Sequence, residues 1–235
     1  MSFNTWTPAA VLSEARLWAG AMWRMVEAQH TASTMKIVDN DAEQDLLETL
    51  LEDSKPAQPA SALALDYLLA TPFRYHPLRG GSRFRAITDP GVFYGAESVR
   101  TASAELGYWR WRFLKDAVDL EKLEPVAHTA LSADVRTQMV DLRQPPFSAD
   151  ASWLHPADYS ATQAFAQVAR VADIGGIQYQ SVRDPKLAWC VALLTPQAFA
   201  KPRPRLMQTW WLAVHQDAVT WRRDNESMTF AAAAW

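Results

Sequence analysis

The apolar positions divide the chain into a helical front and a strand-rich body. Between residues 9 and 29, Val11, Leu12, Ala15, Trp18, Met22, Met25 and Val26 recur at helical spacing and predict an amphipathic helix. A second helix is predicted from about Asn40 to Glu52. There Asn40 and Glu43 have capping-box spacing, and Leu46, Leu47, Leu50 and Leu51 form the apolar side. Lys55-Pro-Ala-Gln-Pro59 breaks this pattern as a linker. Leu63 to Leu69 predicts a third helix that stops at Thr71-Pro72. Val92 to Ala96 then reads as a short buried strand. Thr101 to about Leu114 reads as a helix with Ala102, Leu106, Trp109 and Phe113 on one side.

Strands are expected over 125–131 and 135–142, ended by Pro145-Pro146, and again over 177–182 and 188–194. Asp158 suits the N-cap of a helix reaching Ala172, which Gly175-Gly176 closes. Leu206 to Trp221 predicts a hairpin turning at Gln216-Asp217. The expected class is α+β, with residues 1–70 as a helical extension packed on a core and 71–235 as the body.

Composition narrows the function. A hydrophobic fraction of 49% is ample for a core, and a net charge of −3 gives no general attraction for nucleic acid or an anionic membrane. The apolar runs are too short to cross a bilayer and no charged-then-apolar leader opens the sequence, so the expected compartment is the cytoplasm. Cys190 is the only cysteine, which excludes an intramolecular disulfide, and its apolar surroundings in 188–194 suggest core filling. The five histidines are scattered singly and neither HExxH nor a paired CxxC occurs, so no metal is expected. Walker, GxGxxG and GxSxG patterns are also missing.

The most unusual segment is Phe73-Arg-Tyr-His-Pro-Leu-Arg-Gly-Gly-Ser-Arg-Phe-Arg85. It carries four arginines, and no acid lies between Asp66 and Asp89. Gly80-Gly81 permits a sharp turn and a close approach, and the planar fork of arginine matches phosphate oxygens. A small anion such as a pyrophosphate fits this chemistry; the alternative is a solvated loop with arginines paired elsewhere. Glu105 borders the apolar side of its helix, where partial desolvation raises a carboxyl pKa unless a cation compensates. Tyr94 in Val-Phe-Tyr-Gly and Ser181 in Gln-Tyr-Gln-Ser-Val-Arg183 carry little weight singly. Ile177, Tyr179 and Ser181 fall on one strand face.

Taken together, these pieces resemble the RES family, named for an arginine, a glutamate and a serine. The likeness runs through Gly80-Gly-Ser-Arg83, Val92-Phe-Tyr94-Gly-Ala, Thr101-Ala-Ser-Ala-Glu105, Asp158-Tyr-Ser-Ala-Thr-Gln163 and Gly175-Gly-Ile-Gln-Tyr-Gln-Ser181-Val-Arg183. Weaker likeness includes Trp23-Arg24 and Glu27-Ala-Gln-His30. The resemblance implies an ADP-ribosyltransferase-like fold and an NAD-consuming toxin, usually restrained by an Xre-type helix-turn-helix antitoxin. It makes Arg83, Tyr94, Glu105 and Ser181 the catalytic set. Arg83, Ser181, Arg183 and Arg24 become the groups that hold NAD. One departure is visible: where relatives carry a glycine and an asparagine after the Ser-x-Arg step, this chain reads Asp184-Pro-Lys-Leu-Ala-Trp-Cys190.

The implied reaction is cleavage of the nicotinamide–ribose bond, with an oxocarbenium-like ribose as in glycoside cleavage. Water, inorganic phosphate or a protein side chain could accept the ADP-ribose, and a non-catalytic nucleotide- or antitoxin-binding protein is the alternative outside enzymes. The helical front and the hairpin tryptophans Trp210, Trp211 and Trp221 are candidates for contact with a second copy or an antitoxin, simple packing being the alternative.

Overall fold

The computed structural model describes residues 6–28, 40–75 and 81–235. Its first element is α1 (Pro8–Glu14), where Thr7 accepts a hydrogen bond from the Ala10 amide and Pro8 takes the first turn. The helix expected over 9–29 ends there. From Arg16 the chain is a strand, β1 (Arg16–Glu27). The spacing of Trp18, Met22 and Met25 imitates a helical stripe because β1 buries residues on both faces, so no clean alternation survives. Residues 29–39 lie outside the described set.

Further on, α2 (Asp41–Asp53) follows the predicted cap, with Asn40 Oδ1 accepting from the Glu43 amide. The third helix begins later than expected. A 3-10 turn (Ala60–Ala62) precedes α3 (Tyr67–Arg74), which carries Pro72 inside it. Next come β2 (Phe93–Ala96) and α4 (Val99–Asp116), capped by Ser98. The two strands expected over 125–142 are one, β3 (Lys122–Asp141). Ser132 and Asp134, in the expected gap, lie within the pairing with β1. Asp134 receives Lys201 at 3.1 Å. Then α5 (Ser160–Val171), β4 (Gly176–Gln180) and β5 (Trp189–Leu193) precede the hairpin β6 (Leu206–His215) and β7 (Ala218–Arg223). Asp158 bonds the Ser160 amide at 2.9 Å, while Tyr159 takes the N-cap position. A final strand, β8 (Glu226–Ala231), was not anticipated.

The eight strands form one sheet in the order β1-β2-β5-β4-β3-β6-β7-β8, and β1 also pairs with β3. Five strands therefore close a ring, β1-β2-β5-β4-β3-β1, from which β6, β7 and β8 extend as a wing. The α+β class holds, and β1 makes residues 16–27 part of the sheet itself.

Alternate residues of the ring strands feed two cores. Phe93, Val191, Leu193, Met22 and Leu131 face α3 and its neighbouring turns. Ala96, Cys190, Ala192, Ile177 and Tyr179 face the side covered by α4 and α5. A fully buried Phe or Leu stabilises by about 1.5–3 kcal/mol, so double-sided burial sets the strand register firmly. Trp210 and Trp221 belong to the core beneath α4, whereas Trp211 is exposed. No helix among the described residues is long and apolar enough to cross a membrane.

Candidate active site

A cleft of about 270 Å³ opens between α4 and the ring. Its floor is one register row: Trp23 pairs with Ala96, Ala96 with Cys190, and Cys190 with Tyr179. All four line the cleft, as do Arg24, Arg83, Tyr94, Glu105, Trp109, Tyr159 and Arg183. Four strands, one helix and the connections that carry Arg83, Tyr159 and Arg183 thus bring together residues that lie far apart in the sequence.

Arg83 sits at the tip of a tight turn in which Ser82 and Arg85 exchange backbone hydrogen bonds at 2.8 and 3.1 Å. The amide of Gln163 donates to the Ser82 and Arg85 carbonyls, and Thr162 donates to the carbonyl of Arg83. A Cβ on Gly81 would run into the Arg85 carbonyl and the Gln163 amide, so glycine is required by close approach. Phe84 points the other way, into the core against Tyr179. Arg83 Nη1 donates to the carbonyls of Trp153 at 2.9 Å and His155 at 3.1 Å, and its guanidinium stacks over Tyr159.

The other arginines of this segment divide differently. Arg74 binds Glu52 and the Pro56 carbonyl, and Arg85 binds the Asp89 and Tyr75 carbonyls. Arg79 lies outside the described residues. Of the described arginines of this loop, only Arg83 lines the cleft, beside Gly81 and Ser82.

Tyr94 lines the cleft, but its hydroxyl is committed to the turn. It accepts from the Phe84 amide at 2.9 Å and shares a hydrogen bond with Ser82 Oγ at 2.7 Å. Burial pushes the phenol pKa up, so it stays protonated at neutral pH. Arg24 donates to the Tyr94 carbonyl at 2.9 Å and lies over the Phe93 ring. Its Nε has no partner among the described residues, and burial brings its pKa down to about 10.

Glu105 occupies the α4 wall together with Ala102, Leu106 and Trp109. The helix side expected to pack inward therefore faces the cleft and solvent, with Trp109 51% and Phe113 57% exposed. The buried side carries Thr101, Ala104, Gly107 and Leu114. Glu105 Oε1 accepts from Ser181 Oγ at 2.6 Å and from the Cys190 thiol at 3.6 Å. Burial pushes the Glu105 pKa up; Ser181, Arg83 and Arg183 pull against that, but desolvation is the larger effect. The single cysteine is thus core-buried and also touches the carboxylate, where burial and Glu105 push its own pKa far up.

Ser181 is not among the cleft-lining residues and lies behind Glu105. Besides donating to Glu105, its hydroxyl accepts from the Arg183 amide at 3.2 Å and the Asp184 amide at 3.0 Å. Those two bonds fix the direction of the donated proton. Arg183 places its guanidinium 3.5 Å from the centre of the Tyr108 ring and donates to the Pro156 carbonyl. Asp184, where the relatives' pattern is lost, is buried against Arg100 at 3.1 Å and accepts from Thr101 at 3.1 Å. Lys186 N also caps it at 3.0 Å.

The structure therefore brings Arg83, Tyr94, Glu105, Arg183 and Arg24 to one cleft and puts Ser181 directly behind it. Sequence reasoning did not single out Tyr179, Tyr159 and Cys190, which line the cleft, or Tyr108, on which Arg183 rests. Tyr179 had a usable signal, since period-two alternation already put it on the Ser181 face. Among the described residues, no group of three or more His, Cys, Asp or Glu side chains could hold a metal.

Fold and site together define an α+β protein with a single carboxylate set among arginines and aromatic rings in a cleft floored by its sheet. The family follows from the sequence: residues 58–215 match the RES domain, and the chain belongs to the RES-domain family. No curated protein matches it. Among solved structures it is similar to a chain of the M. tuberculosis MbcT–MbcA toxin–antitoxin complex, with a TM-score of 0.47 and 12% identity over 95% of this chain and 93% of that one.

Proposed function

We propose that this chain is the toxin of a toxin–antitoxin pair and that it consumes NAD by cleaving the nicotinamide–ribose bond, with water or inorganic phosphate accepting the ADP-ribose. The observation that carries this reading is the Glu105 carboxylate facing Arg83 and Arg183 within one aromatic-lined cleft. Departing nicotinamide leaves positive charge on the ribose carbon, and a pre-placed carboxylate opposes that charge without reorganisation. Arg83 and Arg183 suit the pyrophosphate, because each guanidinium is held on a ring and a backbone carbonyl with further N–H groups to offer. Ser181 acts through Glu105 by holding its oxygen, and Tyr94 acts through the turn that presents Arg83. An Xre-type helix-turn-helix antitoxin would restrain the activity by covering the cleft.

Transfer to a protein side chain is the second reading, favoured by Trp109, which lines the cleft and is 51% exposed, where a protein acceptor could dock. Incubating the protein with NAD, with and without phosphate and with cell extract, separates the outcomes by mass spectrometry. Free ADP-ribose marks hydrolysis, ADP-ribose-1″-phosphate marks phosphorolysis, and a labelled protein band marks transfer. Glu105→Gln keeps the shape and removes the charge, and is expected to slow cleavage by about 10²–10³-fold. Cleavage by that variant at the parent rate would remove Glu105 from the reaction.

A further inference from the structure

The outer part of the wing, β7, β8 and the turn after them, lies beyond the residues that match the RES domain. It nevertheless reaches the loop that carries Arg183. Trp235 Nε1 donates to the Arg183 carbonyl at 2.7 Å. Its ring meets Tyr108 edge-on at 5.7 Å, and Tyr108 is the ring on which the Arg183 guanidinium rests. Phe230 stacks on Trp235 at 20° and carries the guanidinium of Arg100 on its other contact, while Arg100 holds Asp184. The loop from Ser181 to Asp184 is therefore gripped at two points by side chains of the wing. At neither point does the wing touch the cleft directly, since Trp235 is not part of its lining.

We propose that Trp235 is a positioning residue for anion binding: it fixes the Arg183 backbone and the Tyr108 ring, and so aims the Arg183 guanidinium into the cleft. This inference rests on the reading of the cleft as an NAD site only for its choice of substrate, because the anion contact itself can be measured without NAD. The loss of a hydrogen bond and of the ring seat frees a long, rotamer-rich side chain, and that freedom weakens binding rather than the reaction step.

The test uses the chain in five forms: parent, Trp235→Ala, Trp235→Phe, Arg183→Ala and the Trp235→Ala, Arg183→Ala double variant. Inorganic pyrophosphate binding is read by calorimetry and NAD cleavage by initial rates. Trp235→Ala is expected to weaken pyrophosphate binding about tenfold and to raise the KM for NAD similarly, with kcat within about twofold. In the Arg183→Ala background the same substitution should add nothing, because the residue it positions is gone. Trp235→Phe keeps the ring contacts, guards against misfolding of the alanine variant, and should fall between parent and Trp235→Ala. Additive losses in the double variant, or unchanged pyrophosphate affinity in Trp235→Ala and Trp235→Phe, would overturn the proposal. Pyrophosphate binding that depends on both residues, with NAD left intact, would uphold it and refute the choice of substrate.

Discussion

Replacing Ser181 with alanine tests how the cleft holds its carboxylate. One oxygen is removed, and three hydrogen bonds go with it: the 2.6 Å bond to Glu105 and those from the Arg183 and Asp184 amides. A bond to a charged group contributes about 1.5–3 kcal/mol, and a buried amide left unpaired costs about 1–3 kcal/mol. Allowing for some relaxation, the loss is about 3–5 kcal/mol, a large part of the roughly 5–15 kcal/mol that holds a domain folded. For a chain of this size that lowers Tm by about 6–20 °C.

The pH dependence has a definite sign. The folded-state pKa of Glu105 already lies above its ordinary value of 4.5, so the stability it contributes is greatest below that pH and is lost as pH rises through the raised value. Without the Ser181 hydroxyl the pKa moves further up. The deficit of Ser181→Ala against the parent is then widest at neutral pH and narrows towards pH 4.5. On the proposed reading of the cleft, the acid limb of NAD cleavage moves to higher pH as well, because more acid remains protonated. Thermal unfolding across pH and a pH–rate profile measure both, and Ser181→Thr, which keeps the hydroxyl, should recover much of each. A Tm within about 1 °C of the parent together with an unmoved acid limb would refute the account.

Two further outcomes are expected. Tyr94→Phe leaves the Phe84 amide unpaired and should cost about 1–3 kcal/mol in urea unfolding, with a rise in KM larger than the fall in kcat. A large fall in kcat with stability unchanged would instead place the hydroxyl on the reaction. His128 is buried against Trp221 with its Nε2 unpartnered, and burial holds its pKa below 6.5. The stability it contributes is present above pH 6.5 and is lost as pH falls through the depressed value, so His128→Leu should flatten the decline of the urea midpoint below pH 6.5.

The parts of this fold legible in the sequence are those where local chemistry and tertiary context agree. Asn40 and Glu43 mark the start of α2, Val92 to Ala96 marks β2, and Gln216-Asp217 marks the turn between β6 and β7. Legibility fails where a strand is buried on two faces. Trp18, Met22 and Met25 in β1 belong to different sides of a closed ring, and their spacing matches a helix by coincidence. β8 was lost for the opposite reason, as Glu226, Ser227 and Thr229 dilute an apolar signal carried by Met228 and Phe230 alone.

The site divides in the same manner. Arg83 could be singled out because its loop is unusual in composition, and Glu105 because it borders an apolar stripe. Tyr108 and Trp235 could not, since their importance comes from what Arg183 rests on, which no local pattern records.

The ring has a consequence for how the molecule comes into being. Its floor joins residue 23 to 96, 96 to 190, and 190 to 179, so the strand that opens the sheet stays unpaired until residues made more than 70 positions later arrive. β1 finds most of its partners only in β3, more than a hundred residues downstream. Pairings of such separation are slow to form, commonly on the order of milliseconds to seconds, because chain closure precedes any gain from contact. A growing chain that lacks β5 has Glu105 on its helix and Trp23 and Ala96 for its floor, but not Cys190, which joins that pair to Tyr179. Synthesis therefore completes the floor of the cleft late, when β5 joins β2 to β4.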